Sequence, residues 1–246
     1  MTVPPMEQDT GDEIVGQGGV EGTLESRQGL GPTGSTVHGH LTRLQGAYLQ
    51  NVSWAVAGLA RLRRAVERPP GGDPLIWDWT INGIKLPRGY DSDLPSRGEL
   101  AAHAAVTLYA VHQQSRGDRM YRWGAEGFGL GRAIARLQGA RDSEAAVRKR
   151  FDALATASDL GEAIRHARGI VTQLRGTGLA LDYAALADQL EAFQDPRRRA
   201  NVRLAWGRDF HRVRVTGSPA TAEPAAGSGG GVSIRHPTDI EGASDE

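Results

Sequence analysis

Eight apolar residues, Leu41, Leu44, Tyr48, Val52, Ala55, Leu59, Leu62 and Val66, advance along the chain by three or four positions at each step. A strand needs a period of two and cannot use that spacing. A helix places all eight on one face, as a buried stripe about seven turns long. Pro69-Pro70-Gly71-Gly72 stops it. The same period returns in Leu100, Ala104, Leu108 and Val111, then in Leu130, Ile134 and Leu137, then in Val147, Phe151 and Leu154. It continues in Ile164, Ala167, Val171 and Leu174, in Tyr183, Leu186, Leu190 and Phe193, and in Val202, Trp206, Phe210 and Val213.

Helix-end chemistry frames these stripes. Ser96 with Glu99, and Asp159 with Glu162, have capping-box spacing. Asp182 is placed to cap the next helix, Gly176 to close the one before it, and Pro196 to separate the last. Asn82-Gly83 between Ile81 and Ile84 predicts one short hairpin. No run alternates over the length of a sheet. The expected fold is an all-α helical bundle, with a division into two small lobes near residue 142.

The formal net charge is zero, but the charge is segregated. Residues 41–215 carry 27 Lys+Arg against 18 Asp+Glu, whereas the two ends together carry 2 against 11. Residues 1–40 and 216–246 lack apolar period, are acidic, and include the run Gly227-Ser228-Gly229-Gly230-Gly231. They are expected to be disordered tails flanking a helical nucleic-acid-binding domain over 41–215. All but two of the basic residues, Lys85 and Lys149, are arginine. Arginine forks onto phosphate, although GC-rich coding also favours it.

Several chemistries lack their residues. There is no cysteine, so no disulfide and no thiolate metal site. No apolar run approaches the ~20 residues of a membrane span and no secretion signal is visible, so the cytoplasm is the expected location. Gly127-Phe128-Gly129-Leu130-Gly131 departs from the dinucleotide pattern and has no strand before it, and reads as a helix entrance. His103 and His112 sit nine positions apart, half a turn out of phase, and cannot share an ion from one helix. No metal, cofactor or catalytic residue is assigned, and the chain is not expected to be an enzyme. Trp77 and Trp79 read as loop anchors to the core, with base stacking as the competing role.

The arginines form faces. On one continuous helix, Arg43, Arg61, Arg64 and Arg68 would fall within about 60° of one another, opposite the buried stripe. On a last helix starting at Arg197, Arg197, Arg208 and Arg212 lie opposite Val202, Trp206 and Phe210. Solvated helix faces usually mix signs, and these do not, which points to nucleic-acid backbone.

Leu108-Tyr109-Ala110-Val111-His112-Gln113-Gln114-Ser115, Gly129-Leu130-Gly131-Arg132-Ala133, Arg150-Phe151-Asp152-Ala153-Leu154, Leu181-Asp182-Tyr183 and Val202-Arg203-Leu204-Ala205-Trp206-Gly207-Arg208-Asp209-Phe210 follow one another in order. In these segments the chain resembles the CasB family, the small subunit of the type I-E CRISPR Cascade complex, over about residues 41–213. The resemblance implies a non-catalytic all-α protein that contacts the guide RNA and the displaced strand of target DNA, alongside other Cascade subunits and a second copy of itself. It implies no membrane partner. Beside Arg61 from the helix face, it points to Arg63, Arg64, Arg132, Arg150, Arg168, Arg197, Arg198 and Arg208 as nucleic-acid-binding positions. Of these, Arg132 and Arg208 are the ones expected to serve structure, since apolar neighbours flank both and Asp209 adjoins Arg208. The competing readings are a stand-alone helical DNA-binding regulator, which needs a helix-turn-helix, and a helical enzyme acting on nucleotides, which needs acid or metal clusters.

Overall fold

The computed structural model describes residues 29–124, 127–140 and 144–216, with side chains through 212. Among them are nine α-helices and no strand: α1 Pro32–Leu49, α2 Ser53–Ala65, α3 Trp77–Thr80, α4 Arg97–Gln113, α5 Leu130–Gly139, α6 Glu144–Thr156, α7 Leu160–Thr177, α8 Tyr183–Phe193 and α9 Pro196–Thr216. The all-α expectation holds. One cluster of buried side chains runs from Val37 to Phe210. No helix of the described residues is long and apolar enough to cross a membrane.

The seven-turn stripe is carried by two helices rather than one. Asn51 adopts φ 58, a left-handed conformation that asparagine tolerates better than most side chains. The Val52 N–H then reaches back to the Ala47 carbonyl at 3.0 Å, and α2 starts in a new direction. Both halves still bury their stripes, Leu41 and Leu44 on α1, Ala55, Leu59 and Leu62 on α2. α1 itself begins at Pro32, inside the segment expected to be tail. Its first turn is capped from α8: Asp188 accepts the Gly31 N–H at 2.7 Å and the Gly34 N–H at 2.6 Å. Residues 1–28 and 217–246 lie outside the described residues.

α4 was expected to be amphipathic and is instead the hub. Every residue from Ala101 to Ala110 is buried, because α1, α2, α7 and α8 all pack against it. The run of alanines lets those neighbours come close. Its start is the expected capping box, Ser96 with Glu99. At α7 the Asp159 side chain accepts the Glu162 N–H at 2.8 Å as expected, but the Glu162 carboxylate turns to the Ser158 N–H and hydroxyl rather than closing the box. α7 runs past Gly176 and ends at Gly178, whose φ of 71 supplies the left-handed cap. The expected hairpin is absent. Residues Pro74–Ile76 form a 3-10 turn leading into α3, and Gly83 makes a turn at φ 73 without paired strands.

Both histidines of α4 serve the core. His112 is fully buried, with Nδ1 2.9 Å from the Tyr183 hydroxyl. Burial pushes its pKa down to about 3, reinforced by Arg116 and Arg175 and opposed by nearby carbonyls. The unfolded chain therefore takes up a proton below about pH 6.5 that the folded chain refuses until about pH 3. Stability is complete above 6.5 and falls through that window, by at most about 1.4 kcal/mol per pH unit for one site. His103 is shifted the same way by burial. Asp182, raised to about 6 by burial, works in the opposite sense between about 3.8 and 6 over a smaller span. The melting temperature is thus expected to drop from pH 7 to pH 4, and His112→Asn, which keeps a polar partner for Tyr183 without titrating, is expected to flatten the drop. Calorimetry across that range checks both.

Candidate nucleic-acid interface

α2 ends where its stripe meets α4. Val66 leaves the helix at ψ 137 and Glu67 takes a left-handed φ of 66. Arg168 on α7 holds that corner through an ion pair to Glu67 at 2.8 Å. The reversed chain throws Arg68 outward between two clefts.

The smaller cleft, about 230 Å³, lies between the last turns of α2 and the 3-10 turn, and Arg61, Arg64 and Arg68 line it. The larger, about 460 Å³, lies between this corner and the start of α7. Its wall is apolar, with Leu100, Leu160 and Ile164, and its rim carries Arg68 and Arg165. Arg68 and His103 belong to both. The carboxylates in the clefts are engaged elsewhere: Glu67 by Arg168, Asp159 by the α7 cap, and Asp73 by the Leu75 N–H at 3.0 Å. Arg61, Arg64, Arg68 and Arg165 form no ion pair among the described residues. Burial keeps the His103 imidazole neutral against the pull of the Ala65 and Arg68 carbonyls, so it adds no charge there. The result is a run of four guanidinium groups with no ion pair among the described residues along joined clefts, a geometry suited to successive phosphates. A third cleft, about 420 Å³, offers Asp91, Asp93 and Glu99 and no arginine, and suits no polyanion.

The remaining sequence-predicted arginines fall elsewhere. Arg43 leaves the expected face, because the break at Asn51 turns it away; its guanidinium lies 4.8 Å from the Trp79 ring and 5.8 Å from that of Trp54. Arg63 is half-buried and lines neither cleft. Arg168 is committed to Glu67. Arg197 and Arg198 are exposed at the start of α9, beside Gln194 of the larger cleft. Arg150 is exposed on α6, away from both clefts. Arg132, expected to serve structure, is paired with Asp209 at 3.4 Å and mostly covered. Arg208 differs from that expectation: it is exposed and makes no ion pair among the described residues, Asp209 being taken by Arg132 and Arg212.

Sequence reasoning missed Arg165, which sits on α7 amid Glu162, His166 and Arg168, a face of mixed sign. Its spacing of three from Arg168 was the available signal. It also missed Trp54, which is 46% exposed and stacked on Trp79 at 5.5 Å. Trp79 anchors its loop to the core as expected, while Trp77 stays 40% exposed. No group of three or more His, Cys, Asp or Glu side chains is placed to hold a metal ion among the described residues.

The family model for CRISPR-associated protein Cse2 matches residues 58–211, from the middle of α2 to the body of α9. The chain belongs to the CRISPR-associated protein Cse2 family. Both clefts lie within the matched stretch. Among solved structures, CasB from Thermobifida fusca is 36% identical, covers 74% of this chain and 99% of its own, and superposes with a TM-score of 0.60. CasB from M. ruber is 26% identical over 65% of this chain and 86% of its own, TM-score 0.51. A chain of a CRISPR RNA-guided surveillance complex is 21% identical over 75% of this chain and 96% of its own, TM-score 0.51, a likeness of fold. No curated protein matches the sequence. The resemblance to CasB is thereby established, and the family match runs from within α2 into α9.

Proposed function

We propose that this Cse2-family chain is the non-catalytic small subunit of a type I-E Cascade surveillance complex, and that it steadies the R-loop by holding nucleic-acid backbone. The observation that carries the reading is the line of Arg61, Arg64, Arg68 and Arg165 along two joined clefts with every neighbouring carboxylate engaged. Arg197, Arg198, Arg150 and Arg208 extend the basic surface as exposed positions on α9 and α6. The partners are the guide RNA and the displaced strand of target DNA, the other Cascade subunits and a second copy of this chain. Base pairing with the guide supplies sequence specificity, so the subunit needs charge and shape alone. The protein works in the cytoplasm, where its nucleic-acid partners are.

Binding is expected to be independent of sequence and to weaken with salt. Each phosphate neutralised contributes about 0.7 to the slope of log K against log salt on a single strand, and about 0.9 on a duplex. Arg64→Ala is expected to lower that slope by roughly one such unit with the fold unchanged, because Arg64 is exposed and unpaired. Titrations of labelled oligonucleotides of different sequence over a salt series measure it. An unchanged slope would show that Arg64 meets no phosphate.

A further inference from the structure

A basic body with acidic ends is an unusual way to reach zero net charge, and the larger cleft gives it a use. We propose that this cleft docks the chain's own acidic N-terminal segment, with Ile14 against the apolar wall and Asp12 and Glu13 on the arginine rim, so that this segment and nucleic acid compete for one surface. The competition rests on the nucleic-acid reading above; the docking does not.

Three observations carry it. Residues 1–28 hold Glu7, Asp9, Asp12, Glu13, Glu21 and Glu25 against the single Arg27. The larger cleft combines an apolar wall of Leu100, Leu160 and Ile164 with two guanidinium groups, Arg68 and Arg165, that form no ion pair among the described residues. Phosphates alone satisfy the rim and leave the wall exposed. A branched apolar residue among carboxylates satisfies both, and Asp12-Glu13-Ile14-Val15 is such a sequence.

The third observation is the tether. Gly31 is fastened to Asp188 at 2.7 Å, and Gln194, which lines the cleft, follows six residues later, about 9 Å further along α8. The 17 residues from Ile14 to Gly31 span about 23 Å root-mean-square as a flexible chain, ample for that path. Such a tether gives an effective concentration on the order of millimolar. The C-terminal acids are placed worse. α9 borders the cleft at its first turns, where Arg199 donates to the Ser158 carbonyl, and its 21 residues carry the chain about 30 Å away before the tail begins.

The absence of cysteine permits a direct test in the full chain. Ile14→Cys is combined with Gly161→Cys, an exposed position on the cleft, or with Lys149→Cys on α6 as the control. Under oxidised glutathione the cleft pair is expected to form its disulfide about tenfold faster than the control pair, and a dT20 oligonucleotide is expected to slow it. Ile164→Cys replaces Gly161→Cys if circular dichroism shows the latter misfolded. Equal trapping at both sites would overturn the docking. In parallel, amide replacement of the six acids in the full chain is expected to tighten dT20 binding about tenfold at low salt, a gain that disappears at high salt. Selective trapping with unchanged dT20 affinity would overturn the competition. Selective trapping in proteins that bind no oligonucleotide at any salt would leave the docking standing and remove the nucleic-acid reading instead.

Discussion

Gly131→Ala is expected to destabilise the protein by about 3 kcal/mol, lowering the melting temperature by roughly 6–12 °C for a chain of this size. α5 and α9 pack backbone against backbone at this glycine. A Cβ on Gly131 would run into the Trp206 carbonyl oxygen and lie 2.8 Å from the Phe210 backbone nitrogen. These are backbone atoms and cannot swing aside as a long side chain would. Trp206 and Phe210 are fully buried, Phe210 stacked on Phe151 at 4.7 Å and Trp206 on Phe193 at 5.8 Å, so α9 cannot retreat without opening the core on both sides. The helix propensity gained, up to about 1 kcal/mol, does not offset this. Gly169→Ala in α7, where an added methyl meets nothing within 4 Å, serves as the control and is expected to be neutral or mildly stabilising. Thermal unfolding of the three proteins measures the difference.

The glycine-rich entrance to α5 was legible from the sequence as structural, because the segment before it has no strand pattern. Features written in local chemistry were legible, including the Ser96–Glu99 box, the Asp182 cap and the buried stripe of α9. The α1–α2 corner was not, because the three-and-four spacing continues unbroken across Gln50-Asn51-Val52 and one residue's left-handed φ decides the matter. α4 was legible as a helix but not as the hub, since alanines read as a weak stripe where they in fact admit neighbours on all sides. For the interface, the arginine face on α2 was legible from angles alone. Its joining with Arg165 of α7 depends on the Glu67 corner and the Arg168 ion pair, a contact between residues 101 positions apart. Arg132 and Arg208 show the limit of neighbour reasoning: Asp209 adjoins Arg208 in sequence and pairs across the helices with Arg132.

If the joined clefts hold nucleic-acid backbone, reversing charge at their shared edge is expected to have a larger effect than any neutral substitution. Arg64→Glu with Arg68→Glu replaces two attractions by two repulsions at exposed positions outside the core, leaving Arg168 and Glu67 intact to hold the corner. In an assembled Cascade complex, with incorporation of the subunit confirmed, R-loop lifetime is expected to shorten roughly tenfold or more at low salt and to approach the unsubstituted value as salt rises. Guide RNA retention is expected to stay unchanged. Equal lifetimes for the two complexes across the whole salt series would contradict the account, and would leave these arginines as an ordinary solvated surface of a Cse2-family fold.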